Sequence, residues 1–163
     1  MISLSNVVRV NGPGESVQLD RDAVWQGLLW KAEYPMPFVP SISACTVVER
    51  GEGWFVREIL DFREPIRERV LLEPKQRVFF ERVSGRVRGT IKNEIEERDG
   101  ELWLRFTFAL EVDGAEPGGP EEQAVRDGMG DGYRAAVETT LAAVRRFVSG
   151  EATPPVPVGV EPG

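Results

Sequence analysis

The sequence predicts an α+β fold in which a curved antiparallel sheet of about seven strands wraps around one long C-terminal helix, with two short helices near the N-terminus. Three observations carry this expectation. Residues 41–113 read as six consecutive strands joined by short turns, the pattern of an antiparallel meander. One long helical stretch, about residues 121–149, follows them. A single strand and a short helical region come before them.

Taken in order, residues 2–10 alternate, with Ile2, Leu4, Val8 and Val10 on one face, and Asn11-Gly12-Pro13-Gly14 ends the strand with turn chemistry. The period changes at Asp20, a good N-cap. Val24, Gly27 and Leu28 then fall at helical spacing, with Trp25 and Leu29 widening the stripe. Pro35 and Pro37 stop that helix and leave room for one tight further turn before Ser41. Within the meander, turns are signalled at Gly51-Glu52-Gly53, Arg63-Glu64-Pro65, Pro74, Ser84-Gly85 and Asp99-Gly100. The last is a pair that tolerates a type I′ hairpin turn. A Gly/Pro-rich break leads to the long helix, where Pro120 stands first, acids fill the first turn and Gly150 follows the end. Its apolar stripe holds Val125, Met129, Ala136, Thr140, Val144 and Phe147. Residues 1–150 therefore read as one domain, and residues 151–163 as a disordered Pro/Gly-rich tail.

Composition removes several kinds of function. At 41% hydrophobic and 29% charged, the 163-residue chain reads as an ordinary globular protein able to bury a core. Its net charge of −7 argues against general affinity for nucleic acid or anionic membrane. Residues 63–88 are locally basic, yet their charges alternate with apolar residues as on the solvated face of a sheet. No apolar run is long enough for a membrane helix and the N-terminus lacks a signal pattern, so a cytoplasmic location without membrane insertion is expected. The chain has no histidine, which removes histidine-based triads and the commonest metal ligand. Cys45 is the one cysteine and reads as a small packed side chain. No metal site and no resident cofactor are expected. Chemistry falls to carboxylates, Arg, Lys, Tyr, Asn, backbone dipoles or a borrowed cofactor.

Several segments resemble a known family. They are Val24-Trp25-Gln26-Gly27-Leu28-Leu29 with Phe38-Val39-Pro40, Gly89-Thr90-Ile91-Lys92-Asn93, and Glu101-Leu102-Trp103-Leu104-Arg105-Phe106-Thr107-Phe108. With the order of elements, they resemble the AtaL-like branch of the START/polyketide-cyclase/pollen-allergen (SRPBCC) superfamily, over about residues 2–149. The resemblance implies the helix-grip fold and a hydrophobic small molecule, aromatic or polyketide-like, held between sheet and helix. Some superfamily members cyclise polyketides and others only carry ligands. The resemblance carries no catalytic residues over to this chain.

Strand alternation nominates the residues facing that space. In residues 54–62 the more apolar face is Trp54, Val56, Glu58, Leu60 and Phe62, expected inward. Ile66, Glu68, Val70 and Leu72 form the inward set of the next strand, Ile91, Asn93 and Ile95 that of another. Leu102, Leu104, Phe106, Phe108 and Leu110 share an uncharged face of the last strand. Residues 76–83 allow either phase, Val78/Phe80/Arg82 or Phe79/Glu81/Val83 inward. The candidate catalytic set is Glu58 with Asn93 and Arg82: a carboxylate desolvated in an apolar cavity can act as acid or base, and Asn and Arg can stabilise an enolate oxygen. The competing reading makes Glu58 and Arg82 an ion pair at the sheet rim, or turns Glu58 outward by a bulge. Ligand contacts are expected from Trp54, Val56, Leu60, Phe80, Ile91, Leu104, Phe106 and Phe108 of the strands and Met129, Tyr133 and Ala136 of the helix. Gly128, Gly130 and Gly132 fall inside the helical stretch, so either the helix kinks there or it starts only near Asp131. The function expected is binding of the hydrophobic molecule, as a cyclase/dehydratase-type tailoring enzyme or as a non-catalytic carrier or sensor. The oligomeric state stays open.

Overall fold

In the computed structural model, which describes residues 1–155 apart from the side chains at 130, 131 and 134, the order is β1 (Ile2–Arg9), α1 (Arg21–Glu33), β2 (Ile42–Gly51), β3 (Trp54–Asp61), β4 (Glu64–Glu73), β5 (Arg77–Arg82), β6 (Val87–Arg98), β7 (Glu101–Val112) and α2 (Pro120–Val148). The strands form one antiparallel sheet in the order β1-β7-β6-β5-β4-β3-β2. The chain leaves one edge after β1, crosses through α1, and meanders back until β7 pairs with β1. This is the helix-grip arrangement.

Local chemistry sets the element ends. The Asp20 carboxylate accepts from the Ala23 N–H at 2.8 Å, capping α1. After α1 the Phe38 and Val39 N–H groups both bond to the Pro35 carbonyl, forming the single tight turn that the prolines permit. At the β6–β7 hairpin, Asp99 and Gly100 have φ of 52° and 77°, the type I′ signature. The long helix α2 starts at Pro120 and runs unbroken through its glycines, so the alternative start near Asp131 is not what forms. Residues 156–163, most of the tail expected to be disordered, lie outside the described residues. Within the described part, Ala152 bonds back to the Arg146 carbonyl and packs on the core.

The core lies between the sheet and the two helices. Val24 and Leu28 of α1 and Val137, Leu141, Val144 and Phe147 of α2 pack on Phe55, Val70, Phe80, Leu104 and Phe106 of the sheet. Each large side chain buried there contributes roughly 1.5–3 kcal/mol of transfer free energy. Gly27 lets the helices touch, since a Cβ there would sit 2.3 Å from Val144 Cγ2. The N-terminal half of α2 packs instead, through Val125 and Met129, on Ile2, Leu110 and Val112.

The phase of β3 is the reverse of the expected one. Phe55, Arg57 and Ile59 point inward and are buried, whereas Trp54, Val56, Glu58 and Leu60 lie on the outer face. Phe62 belongs to no face: it sits in the turn, 82% exposed. The cause is the turn itself. Phe62 and Arg63, with φ of 49° and 66°, make a two-residue loop that pairs Asp61 with Glu64. Directly opposed residues share a face, so Arg57 shares one with Glu68, and Glu58 shares the other with Arg67. With this loop, Glu58 and Glu68 cannot both face inward.

Candidate functional site

Five charged side chains converge on the inner face of the sheet beneath the last turn of α1. Arg57 on β3 donates from Nε and Nη2 to Glu68 Oε1 on β4, at 2.9 and 2.6 Å. Arg82 on β5 donates from Nε to Glu68 Oε2 at 2.9 Å and from Nη2 to Asp61 Oδ2 at 2.6 Å. Glu68 is 1% exposed. Its burial alone would push its pKa up, but the two guanidiniums outweigh that and hold the carboxyl below the ordinary glutamate range. The remaining Arg57 donor, Nη1, bonds to the Ala32 carbonyl at 2.8 Å, satisfying a carbonyl at the negative end of α1.

The fifth group is Lys31. It lies on the buried stripe of α1 one heptad beyond Val24 and is 7% exposed. Its Nζ donates to Asn93 Oδ1 on β6 at 2.9 Å. The ammonium also sits over the rings of Phe80 and Phe106, 4.8 and 4.9 Å from their centroids. Among the described residues no carboxylate lies within ion-pairing distance of it. Charge balance explains the consequence: two arginines already match two carboxylates, so a protonated Lys31 is a surplus buried cation. Burial, then the repulsion of Arg57, lower its pKa from 10.5 to about 7 against the weaker attraction of Glu68. Beside it the Asn93 Nδ2, buried, has no hydrogen-bond partner among the described residues. The site thus offers an amine, a spare amide donor and two aromatic faces.

A cleft opens between the edge strand β1 and α2. It has a volume of about 770 Å³ and is lined by residues 3–8 with Tyr133, Ala135 and Glu138. Tyr133 meets Phe108 edge-on, with centroids 4.9 Å apart. Asn6, in the cleft wall, stands opposite Phe106, which stands opposite Asn93. Two strand spacings, roughly 10 Å, therefore separate the cleft from the Lys31–Asn93 pair.

The expected site residues divide cleanly. Asn93 and Arg82 face inward with Phe80, Ile91, Leu104, Phe106 and Phe108, and Met129, Tyr133 and Ala136 lie on the inner side of α2. Of the two phases open for residues 76–83, the one with Val78, Phe80 and Arg82 inward forms. Glu58 is a correction: half-exposed on the outer face, it pairs with Arg67 at 2.5 Å. Trp54, Val56 and Leu60 leave with it, and Trp54 carries Arg69 over its ring. The ion pair weighed between Glu58 and Arg82 does not form; Arg82 pairs with Glu68 and Asp61. Lys31 and Arg57 were missed, although helical spacing from Val24 and the parity of the turn pointed to both. Cys45, half-buried, has its thiol pKa raised by desolvation, which disfavours the reactive thiolate. Among the described residues no cluster of acids and cysteine has the arrangement of a metal site, and no helix is long and apolar enough to cross a membrane.

Residues 4–150 match the family model described as AtaL, acetylaranotin biosynthesis cluster protein L. The chain belongs to the AtaL family. Curated proteins include no match to this AtaL-family sequence. Among solved structures, the aromatase/cyclase Zhui from Streptomyces sp. R1128 is similar with a TM-score of 0.66 and 19% identity, over 90% of this chain and 95% of that one. TTHA0849 from Thermus thermophilus has a TM-score of 0.66 at 12% identity, covering 93% and 99%. StfQ, a di-domain aromatase/cyclase from the steffimycin biosynthetic pathway, has a TM-score of 0.65 at 10% identity over 91% of this chain, which spans about half (51%) of StfQ. At these identities the likeness establishes the helix-grip fold of the AtaL-family protein.

Proposed function

We propose that this AtaL-family protein binds a hydrophobic, aromatic or polyketide-like small molecule between its sheet and α2, and acts on it as a cofactor-independent cyclase or dehydratase. The observation that carries the reading is the alignment of the β1–α2 cleft with the Lys31–Asn93 pair. A concave cleft with a few convergent polar groups close by is the usual form of a small-molecule site, and here the Phe106 side chain stands between the two. A flat molecule of two or three fused rings spans the roughly 10 Å between them. Its oxygen would meet the Asn93 amide donor, and the near-neutral amine of Lys31 could take or return a proton. The family's namesake biosynthetic cluster and the aromatase/cyclases of like fold support the choice of ligand class.

A carrier without catalysis is the second reading, favoured by one observation: the buried carboxylate, Glu68, is locked by two arginines and has no free oxygen to act as a base. Titration with 2-naphthol and hydroxyanthraquinones, read by tryptophan fluorescence, tests the common part of both readings. Saturable binding that Ala135→Trp weakens at least tenfold is expected. Absence of saturable binding, or binding indifferent to the cleft residue, would overturn the site. Recovery of the ligand unchanged after prolonged incubation, with binding intact, would leave the carrier.

A further inference from the structure

Lys31 is the group whose placement the binding of a ligand leaves unexplained. A lysine needed only for charge would be paired, and a lysine needed only for packing would lie along the surface with its head in water. Here the whole side chain is inside, aimed from α1 across the core at β6. Its ammonium has one hydrogen-bond acceptor, two ring faces and a guanidinium neighbour that is already committed to Glu68 and to the α1 carbonyl. An amine in an apolar pocket beside another cation is the setting in which lysine becomes a nucleophile. The adjacent Asn93 Nδ2 supplies an N–H with nothing to donate to among the described residues.

We propose that Lys31 is a covalent catalytic residue, whose amine condenses with a ketone or 1,3-dicarbonyl group of the bound molecule while Asn93 Nδ2–H donates to the carbonyl oxygen. The proposal rests on the ligand site described above and deepens it. The Lys31 lone pair forms the C–N bond and the carbonyl π pair moves to oxygen, giving a carbinolamine after a proton passes from nitrogen to oxygen. A second proton leaves nitrogen with that oxygen as water, so the imine forms with loss of one water and no change of oxidation state. The imine nitrogen takes a proton from the water just released and withdraws electrons from the neighbouring carbon, whose own proton passes to the hydroxide left behind, restoring water as the enamine forms. The enamine carbon can attack a second carbonyl of the same chain to close a ring, and water then hydrolyses the imine and restores the amine. The sequence needs no metal, oxidant or histidine.

Phe106, buried and standing between the cleft wall and Asn93, swings aside to admit such a molecule to the amine. Only three lysines exist, and the other two, Lys75 (exposed) and Lys92 (half-buried), face carboxylates at 2.9 and 3.9 Å.

The test uses benzoylacetone, an aromatic 1,3-diketone whose lysine adduct is a vinylogous amide that survives mass spectrometry, and 2-naphthol, which has no ketone. Wild type should gain the mass of benzoylacetone less one water, mapped to the peptide carrying Lys31. Lys31→Met should fold and still bind 2-naphthol saturably, yet lose at least nine-tenths of the adduct. Saturable binding of both probes with no adduct at Lys31, or an equal adduct in Lys31→Met, overturns the proposal and leaves the ligand site standing. Failure of either probe to bind removes the site and the proposal together.

Discussion

Replacing Lys31 by Met isolates the energetic cost of the buried amine. Met nearly matches lysine in volume and can lay its thioether against Phe80 and Phe106 where the ammonium sat, so repacking is a minor term. The difference lies in protonation. In the unfolded chain Lys31 titrates at its ordinary value of 10.5, in the fold at about 7. Below pH 7 the amine is charged in both states and the native fold bears the whole cost of burying it. Between the two values the unfolded chain holds a proton that the native one has released, so stability rises with pH at about 1.4 kcal/mol per unit. From pH 7.5 to 9.5 wild type should gain roughly 2–3 kcal/mol relative to Lys31→Met, and between pH 5 and 6 the two should run parallel, with the variant the more stable. Other groups titrating in the alkaline range, Tyr34 and Cys45 among them, cancel in the comparison. Urea unfolding of both proteins at half-unit pH steps measures the difference. Parallel curves across the alkaline window, or a variant less stable at pH 6, would refute the assignment of a near-neutral amine.

Three other outcomes are expected. Glu68→Gln strips the charge from the partner of Arg57 and Arg82 and should cost roughly 3–5 kcal/mol in urea unfolding, whereas Glu58→Gln, at an exposed pair, should cost about 1 kcal/mol or less and leave probe binding unchanged; similar costs for the two would contradict the inward and outward placements. Gly89→Ala should lose about 2–5 kcal/mol, because φ is 132° there and a Cβ would lie 2.1 Å from the Ala109 carbonyl oxygen; a neutral result in thermal melts would mean that β6 and β7 pair differently. The rate of the benzoylacetone adduct should rise with pH through about 7 as Lys31, its pKa lowered by burial and by Arg57, loses its proton, and stopped-flow absorbance at several pH values would expose a flat profile.

The fold was legible because its signals are local and repeated. Alternation marked each strand, Asp20 marked the start of α1, and Asp99-Gly100 marked a hairpin that forms as expected. The inner faces of β4, β6 and β7 followed from alternation for the same reason. For β3 the counting of apolar residues on each face misled, because a buried arginine counts against its own face until its partner is known. That partner, Glu68, lies across a turn whose length outweighs the composition of either face. Lys31 was hidden by the same habit: a charge at the end of an apolar stripe reads as the place where the stripe meets water. Here the stripe continues inward, and Asn93 receives it.

The two-residue loop at Phe62 and Arg63 also has an evolutionary meaning. One codon inserted there or removed would slip β3 by a residue against β4 and exchange its faces, so that Glu58 and Trp54 would enter the interior and Arg57 would go out to solvent. No side chain need mutate for the interior to trade a cation for an acid. Relatives that differ in this loop by a single residue should therefore differ in the chemistry they enclose, and loop length would sort them by ligand better than overall identity does.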